Sequence, residues 1–298
     1  MLAKIRDTEI FFDVHGATLE IDGASVREKP VAFVSHGGPG AEHSIMRPGM
    51  DPLGEYAQVV YWDHRGQGRS ARGDISKYTL DENVEDLEAL RIHLGIEKIV
   101  SVGTSYGGMV AMAHAARYPK SVAKLLLIVT AAHSGLNKRA QEIVAERGSD
   151  EEKEITRQLW AGELTTEEAL RNYFRKTWGL YSTTFDESKR AKNEESLART
   201  ILSPEALNHA FAPGGFLRTF DLRPGLGRIT APTLILAGRH DWICAPEFSE
   251  EIHALIPGSH LKIFENSSHS IRGDEPEAFH AIVKEFITGS IQSQINQS

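Results

Sequence analysis

The stretch Ile99-Val100-Ser101-Val102-Gly103-Thr104-Ser105-Tyr106-Gly107-Gly108 runs on into Met109-Val110-Ala111-Met112-Ala113. A β-branched run is followed by Gly-x-Ser-x-Gly and then by strong helix formers. This reads as a strand turning sharply into a helix, with Ser105 at the apex and its hydroxyl exposed above a sheet. Such a turn crowds the backbone on both sides of the serine, and a Cβ at either flank would clash. Gly103 and Gly107 remove those clashes. The plainer alternative is a Gly-rich strand-to-helix turn whose serine only caps the helix.

A serine hydroxyl is a weak nucleophile and needs a base, which in turn needs an orienting acid. After an elbow of this kind the partners follow in chain order, acid then histidine. Pro232-Thr233-Leu234-Ile235-Leu236-Ala237-Gly238 reads as a buried strand, which places Asp241 in the loop behind it. His260-Leu261-Lys262-Ile263-Phe264 reads as the last strand, with His269 in the loop that follows. A helix from about 275 to 287 closes the pattern. The chain has 13 histidines, and His36, His64 and His240 also fall near strand ends. Position favours His269, which lies downstream of both Ser105 and Asp241. Asp221, before the strand, and Asp274, beyond the histidine, are worse placed as the acid.

Charge developing on a carbonyl oxygen needs donors. Val31-Ala32-Phe33-Val34-Ser35 is a strand, and His36-Gly37-Gly38-Pro39-Gly40 follows it. Glycines let backbone N–H groups approach a ligand closely. The N–H of Tyr106 is one expected donor. Gly37 or Gly38 supplies the other, and the sequence does not separate them.

His36-Gly37-Gly38-Pro39-Gly40, Asp63-His64-Arg65-Gly66-Gln67-Gly68-Arg69-Ser70 and Gly103-Thr104-Ser105-Tyr106-Gly107-Gly108 resemble the proline iminopeptidase family of α/β-hydrolases. Gly238-Arg239-His240-Asp241, Cys244-Ala245-Pro246 and Ser268-His269-Ser270 continue the likeness, which covers about 5 to 130 and 230 to 290. The resemblance implies an α/β-hydrolase fold with a mostly parallel central sheet and an inserted helical cap. It also implies a catalytic triad of Ser105, Asp241 and His269, an oxyanion hole of Tyr106 with Gly37 or Gly38, and no cofactor. The activity implied is an acyl-enzyme serine hydrolase, foremost an aminopeptidase releasing N-terminal residues from small peptides or arylamides. Peptidase members hold the substrate's amino group with acidic residues, mostly in the cap, and some place a glutamate directly after the triad aspartate. Here that position is Trp242, so Trp242 and the cap residue Glu205 are the candidate substrate-binding positions. A carboxylesterase or amidase acting on small uncharged acyl substrates is the alternative. A non-catalytic ligand-binding protein on the same fold is a remote one.

Length and composition fit this reading. With 298 residues, 41% hydrophobic and 25% charged, the chain has room for one large α/β core with an insertion. A net charge of −8 argues against a nucleic-acid or anionic-membrane partner. Cys244 is the single cysteine, so no intrachain disulfide is expected. Residues 1–7 lack the apolar stretch of a signal peptide, and no apolar run approaches the roughly 20 residues of a membrane span. A cytoplasmic location and a small-molecule or short-peptide substrate are expected; the sequence does not set the oligomeric state. No metal-ligand spacing or nucleotide-binding fingerprint is present, and Gly66-x-Gly68 reads as a structural turn.

Along the chain, Glu9–His15 and Thr18–Ile21 read as antiparallel strands around a glycine turn. Val31–Ser35 and Ala57–Trp62 read as core strands, Asp81–Leu94 as an amphipathic helix, and Val122–Thr130 as another buried strand. Composition changes after Ala131. The next stretch is charge-dense and helical, and it carries Trp160, Tyr173, Phe174, Trp178, Tyr181, Phe211 and Phe216. The expected organisation is a core segment at 1–131, a cap insertion at 132–230 and a second core segment at 231–298. Most cap aromatics are expected to pack the cap, with a few facing the site. The polar tail at 292–298 is expected to fray.

Overall fold

The computed structural model describes residues 1–289. The chain opens with β1 (Leu2–Ile5) and β2 (Thr8–His15), then β3 (Leu19–Asp22), β4 (Ser25–Glu28), β5 (Val31–Ser35) and β6 (Gln58–Trp62). Helix α1 (Leu80–His93), β7 (Ile99–Thr104), α2 (Tyr106–Arg117) and β8 (Val122–Ile128) follow. A helical stretch comes next: α3 (Gly135–Arg147), α4 (Asp150–Ala161), α5 (Glu167–Tyr181), α6 (Arg190–Arg199), α7 (Pro204–Phe211) and the short α8 (Arg223–Leu226). The chain then returns through β9 (Thr233–Gly238), α9 (Pro246–Leu255), β10 (His260–Phe264), α10 (Ile271–Asp274) and α11 (Pro276–Thr288).

Eight strands form one sheet in the order β1-β2-β6-β5-β7-β8-β9-β10. From β6 to β10 every neighbouring pair is parallel. Only β2 runs against the others, antiparallel to both β1 and β6. Every residue of β7 and β9 is buried, because helices cover both faces. The strand alternation divides the core. Phe33 of β5 packs with Val84, Leu87 and Val110 of α1 and α2, while its neighbours Ala32 and Val34 pack with Phe279 and Val283 of α11. The chain passes from β5 to β6 on one side, then returns to place β7 on the other side of β5. That reversal opens a crevice at the carboxyl ends of β5 and β7, where open α/β sheets bind ligands.

The expected strands and helices recur within a few residues of their anticipated ends. The exception is the opening hairpin. β2 and β3 do not pair: β2 is flanked by β1 on one side and β6 on the other, so neither edge is free. β3 instead pairs with β4 as a separate ribbon. The polar tail at 292–298 lies outside the described residues. No helix among the described residues is long and apolar enough to cross a membrane.

Candidate active site

Ser105 sits between the end of β7 and the start of α2 with φ 55° and ψ −120°, a conformation that L-residues rarely adopt and that costs of order 1–3 kcal/mol. Its surroundings hold it there. The Ser105 N–H donates to Ile128 O at 2.9 Å, and its carbonyl accepts from Thr130 Oγ1 at 2.7 Å. The flanking glycines are required by close approach. A Cβ on Gly107 would lie 2.1 Å from Ser35 O, and one on Gly103 would lie 2.2 Å from Gly107 O. Tyr106 opens α2, where backbone N–H groups lack intrahelical acceptors and favour negative charge. Its ring is buried and its hydroxyl accepts from Asn83 Nδ2 at 2.7 Å, which fixes the start of the helix.

Gly37 meets Ser105 from the β5 side: a Cβ on it would lie 3.4 Å from Ser105 Cβ. Gly38, at φ 120°, turns the loop toward Ala41. The structure brings Gly37, Gly38, Ser105 and His269 to the wall of one cavity of about 300 Å³.

Asp241 and His269 come together. His269 Nδ1 lies 2.7 Å from Asp241 Oδ2. Asp241 is fully buried, and its other oxygen accepts from the N–H groups of Ile243 and Cys244 at 2.9 and 3.0 Å. The carboxylate is thus fixed by its own loop and aimed at the ring. The histidine loop is clamped by the end of α5. Ser270 N donates to Tyr181 O at 2.8 Å, and Ser268 Oγ donates to Leu180 O at 2.6 Å. Asp274 accepts from Ser268 N, Ser182 Oγ and Thr184 Oγ1. The Tyr181 ring stands edge-on to His269, with centroids 5.4 Å apart. Ser105 and His269 both line this cavity, and no hydrogen bond joins their side chains among the described residues. Burial pushes the Cys244 thiol pKa well up, which makes it a poor thiolate nucleophile.

Most of the rest of the lining is apolar. Tyr173, Phe174, Trp178 and Tyr181 of α5, Leu197 of α6, and Leu207 and Phe211 of α7 face Met109, Met46 and Ile243. Among the described residues no Asp or Glu lines this cavity, and Arg272 is the one Arg or Lys that does. The structure does not bring Glu205 or Trp242 to the wall. Glu205 pairs with Arg72 Nε at 3.4 Å with its side chain 45% exposed. Trp242 is buried behind Tyr181, which it meets edge-on at 5.5 Å. Of the seven aromatics noted in the helical stretch, Trp160 and Phe216 are not in the lining. Arg272 and Cys244 carried no role in the sequence reading. The available signal was proximity, since each stands three residues beyond a triad candidate.

The rival residues do other work. His36 and His64 are buried and stacked, with centroids 4.0 Å apart, and His240 is exposed. Asp221 pairs with Arg223 at 2.7 Å on the surface. The Asp63–Ser70 loop is braced from within. Asp63 accepts from His43 N, His43 Nδ1 and Arg69 N, and Arg65 forms a bidentate pair with buried Asp86 at 2.7 and 2.8 Å. Glu42, His43 and Asp63 lie close enough together to be considered as metal ligands. Their charges are already matched, with His43 Nδ1 between both carboxylates and Arg69 Nη1 3.2 Å from Glu42. Burial opposes the charged form of His43, but Asp63 and Glu42 outweigh it and raise its pKa to about 9.

Residues 33–276 match the model of the alpha/beta hydrolase fold family. Proline iminopeptidase of Saccharolobus solfataricus is 34% identical over 265 residues, spanning 85% of this chain and 83% of that protein. Among solved structures, proline iminopeptidase of Mycobacterium smegmatis superposes with a TM-score of 0.74 at 23% identity, covering 97% of each chain. The enol-lactonase of Burkholderia xenovorans superposes at 0.73 and 21% identity, over 97% of this chain and 100% of its own. The chain belongs to the α/β-hydrolase fold family, and within it to the proline iminopeptidase-like hydrolases.

Proposed function

We propose that this hydrolase works through an acyl-enzyme on Ser105 and takes an acyl substrate that carries no free ammonium group. In this reading His269 takes the Ser105 proton as Oγ attacks the carbonyl. Asp241 orients the imidazole and stabilises its cationic form. The N–H of Tyr106, with that of Gly37 or Gly38, receives the oxyanion. His269 then protonates the leaving group, and water, deprotonated by the same base, cleaves the acyl-enzyme. The stretch 132–230 serves as a cap, with α5 to α7 supplying the apolar wall.

The observation that carries the substrate reading is the lining. Ser105 and His269 share a cavity in which, among the described residues, no carboxylate faces the substrate and Arg272 stands in the wall. A substrate ammonium there would lose water without gaining a partner. A second reading, an aminopeptidase, draws on the 34% identical relative named a proline iminopeptidase. It needs an amine anchor from beyond the lining, and Glu205 would have to leave Arg72 to provide one.

Parallel kinetics on ethyl butanoate, alanyl and prolyl p-nitroanilides, and their N-acetylated forms separate the two. The ester and the capped amides should exceed the free-amine amides in kcat/KM by about thirtyfold or more, the effect of an unpaired charge worth at least ~2 kcal/mol. Ser105→Ala should abolish turnover of all of them. Preference for the free-amine substrates would replace the ester reading with the aminopeptidase one.

A further inference from the structure

Arg272 differs from most of the buried or half-buried arginines, which meet a carboxylate. Arg47 and Arg65 each meet a carboxylate at 2.8 Å, whereas half-buried Arg218 donates to the carbonyls of Phe211 and Trp160. Arg272 has no carboxylate within 4.0 Å among the described residues. Only one of the five guanidinium N–H groups has a protein acceptor: Nη2 donates to Ile45 O at 2.8 Å. Burial pulls its pKa below the usual guanidinium value, with the Tyr61 hydroxyl only partly offsetting it. A half-buried cation left without a counter-charge loses part of its hydration with no ionic partner in return. Arg272 nevertheless lines the same cavity as Ser105 and His269.

The fold makes room for it. A Cβ on Gly49 would lie 3.1 Å from Arg272 Cδ and Nε, so the stem packs closely against bare backbone there. Its hydrogen bond to Ile45 ties it to the 3-10 turn His43–Met46. Helix α6 packs on the same turn and brings Asn193 and Ser196 to the lining. The largely apolar lining therefore includes several polar residues and one positively charged residue.

We propose that Arg272 is a specificity-determining residue that binds a carboxylate carried by the substrate, so that the preferred substrates are acyl esters, lactones or amides bearing one negative charge. A single guanidinium with no second cation in the lining matches the charge of a carboxylate, and its fork matches the carboxylate's two oxygens. A doubly charged phosphate would be left half neutralised. The proposal rests on the hydrolase reading above for its reaction, but not for its binding.

The test uses the full chain and matched esters. Monoethyl succinate, glutarate and adipate carry the charge on the acyl side, against ethyl butanoate, pentanoate and hexanoate. O-Butanoyl glycolate carries it on the alcohol side, against ethyl butanoate. Hydrolysis is followed by titration of released acid. The wild type should favour at least one charged ester over its neutral partner by about tenfold or more in kcat/KM. Arg272→Gln should lower kcat/KM for that ester roughly thirtyfold, mainly through KM, and leave the neutral ester within about threefold. Arg272→Lys should restore part of the preference. A wild type that favours the neutral member of every pair overturns the proposal, as does an Arg272→Gln variant that slows both members equally. Binding provides a separate arm. Trp178 lines the cavity, so tryptophan fluorescence should respond to monoethyl glutarate at lower concentration than to ethyl pentanoate in the wild type and not in Arg272→Gln. If neither ester is hydrolysed but that preference persists, the hydrolase reading falls and the role of Arg272 stands. If esters are hydrolysed without any binding preference, the reverse holds.

Discussion

At the residue scale the account depends on a strained serine held by its neighbours. The positive φ of Ser105 is stabilised by Thr130, by Ile128 O and by the absence of side chains at Gly103 and Gly107. Gly107→Ala would put a methyl group 2.1 Å from Ser35 O, where only backbone could give way. Such overpacking typically costs 1–3 kcal/mol. We expect a loss of about 2 kcal/mol or more in urea denaturation, together with loss of ester turnover; a variant as stable and active as wild type would show that the elbow tolerates displacement. This part of the site was legible in the sequence because it is local. A turn that admits no Cβ declares itself through its glycines, and the chain order of Ser105, Asp241 and His269 follows from strand positions. Arg272 was not legible, because nothing in Ser270-Ile271-Arg272 shows that its cation meets a wall without carboxylates. Glu205 misled for the complementary reason: its acidity was visible, but its pairing with Arg72 was not.

At the scale of elements, the loop Asp63–Ser70 and the 3-10 turn His43–Met46 form one charged joint beneath the Gly37–Gly40 loop. His43 lies between Asp63 and Glu42, and its pKa of about 9 in the fold exceeds the ordinary value of about 6.5 for an unfolded chain. The protonated form therefore stabilises the fold fully below about pH 6.5, and this contribution fades as pH rises through about 9. Denaturation midpoints of wild type and His43→Gln should differ most near pH 6 and converge by about pH 9.5; a gap that is constant across that range would contradict a charged His43. Sequence reading took Gly66-x-Gly68 as a structural turn but gave no sign that His43 completes the joint, since the pairing crosses 20 residues. The misplaced β2–β3 hairpin has the same origin. Local alternation made Thr18–Ile21 look like the partner of β2, while β1 and β6 had already filled both edges.

On the scale of the whole molecule, the proposed reading assigns the chemistry to the sheet and the selection to the helices between β8 and β9. The strands were readable because buried β-branched runs bounded by glycine and proline have few alternatives. The cavity wall was not, because it is built where α5, α6 and α7 converge, and helical periodicity does not say which apolar residues face a gap rather than a neighbour. Tyr173 and Trp178 line the cavity while Trp160 packs against Phe211, though all three look alike in sequence. The central claim joins both layers: Ser105 accepts an acyl group from a substrate without an ammonium. It is tested most directly by quenching the enzyme with acid during turnover of monoethyl glutarate and of ethyl butanoate, then reading the mass of the peptide that carries Ser105. The account predicts a glutaryl or butanoyl adduct on Ser105 in the wild type and none in Ser105→Ala, which should also be inactive. Ester turnover that survives in Ser105→Ala, or an acyl adduct found on another residue, would contradict it.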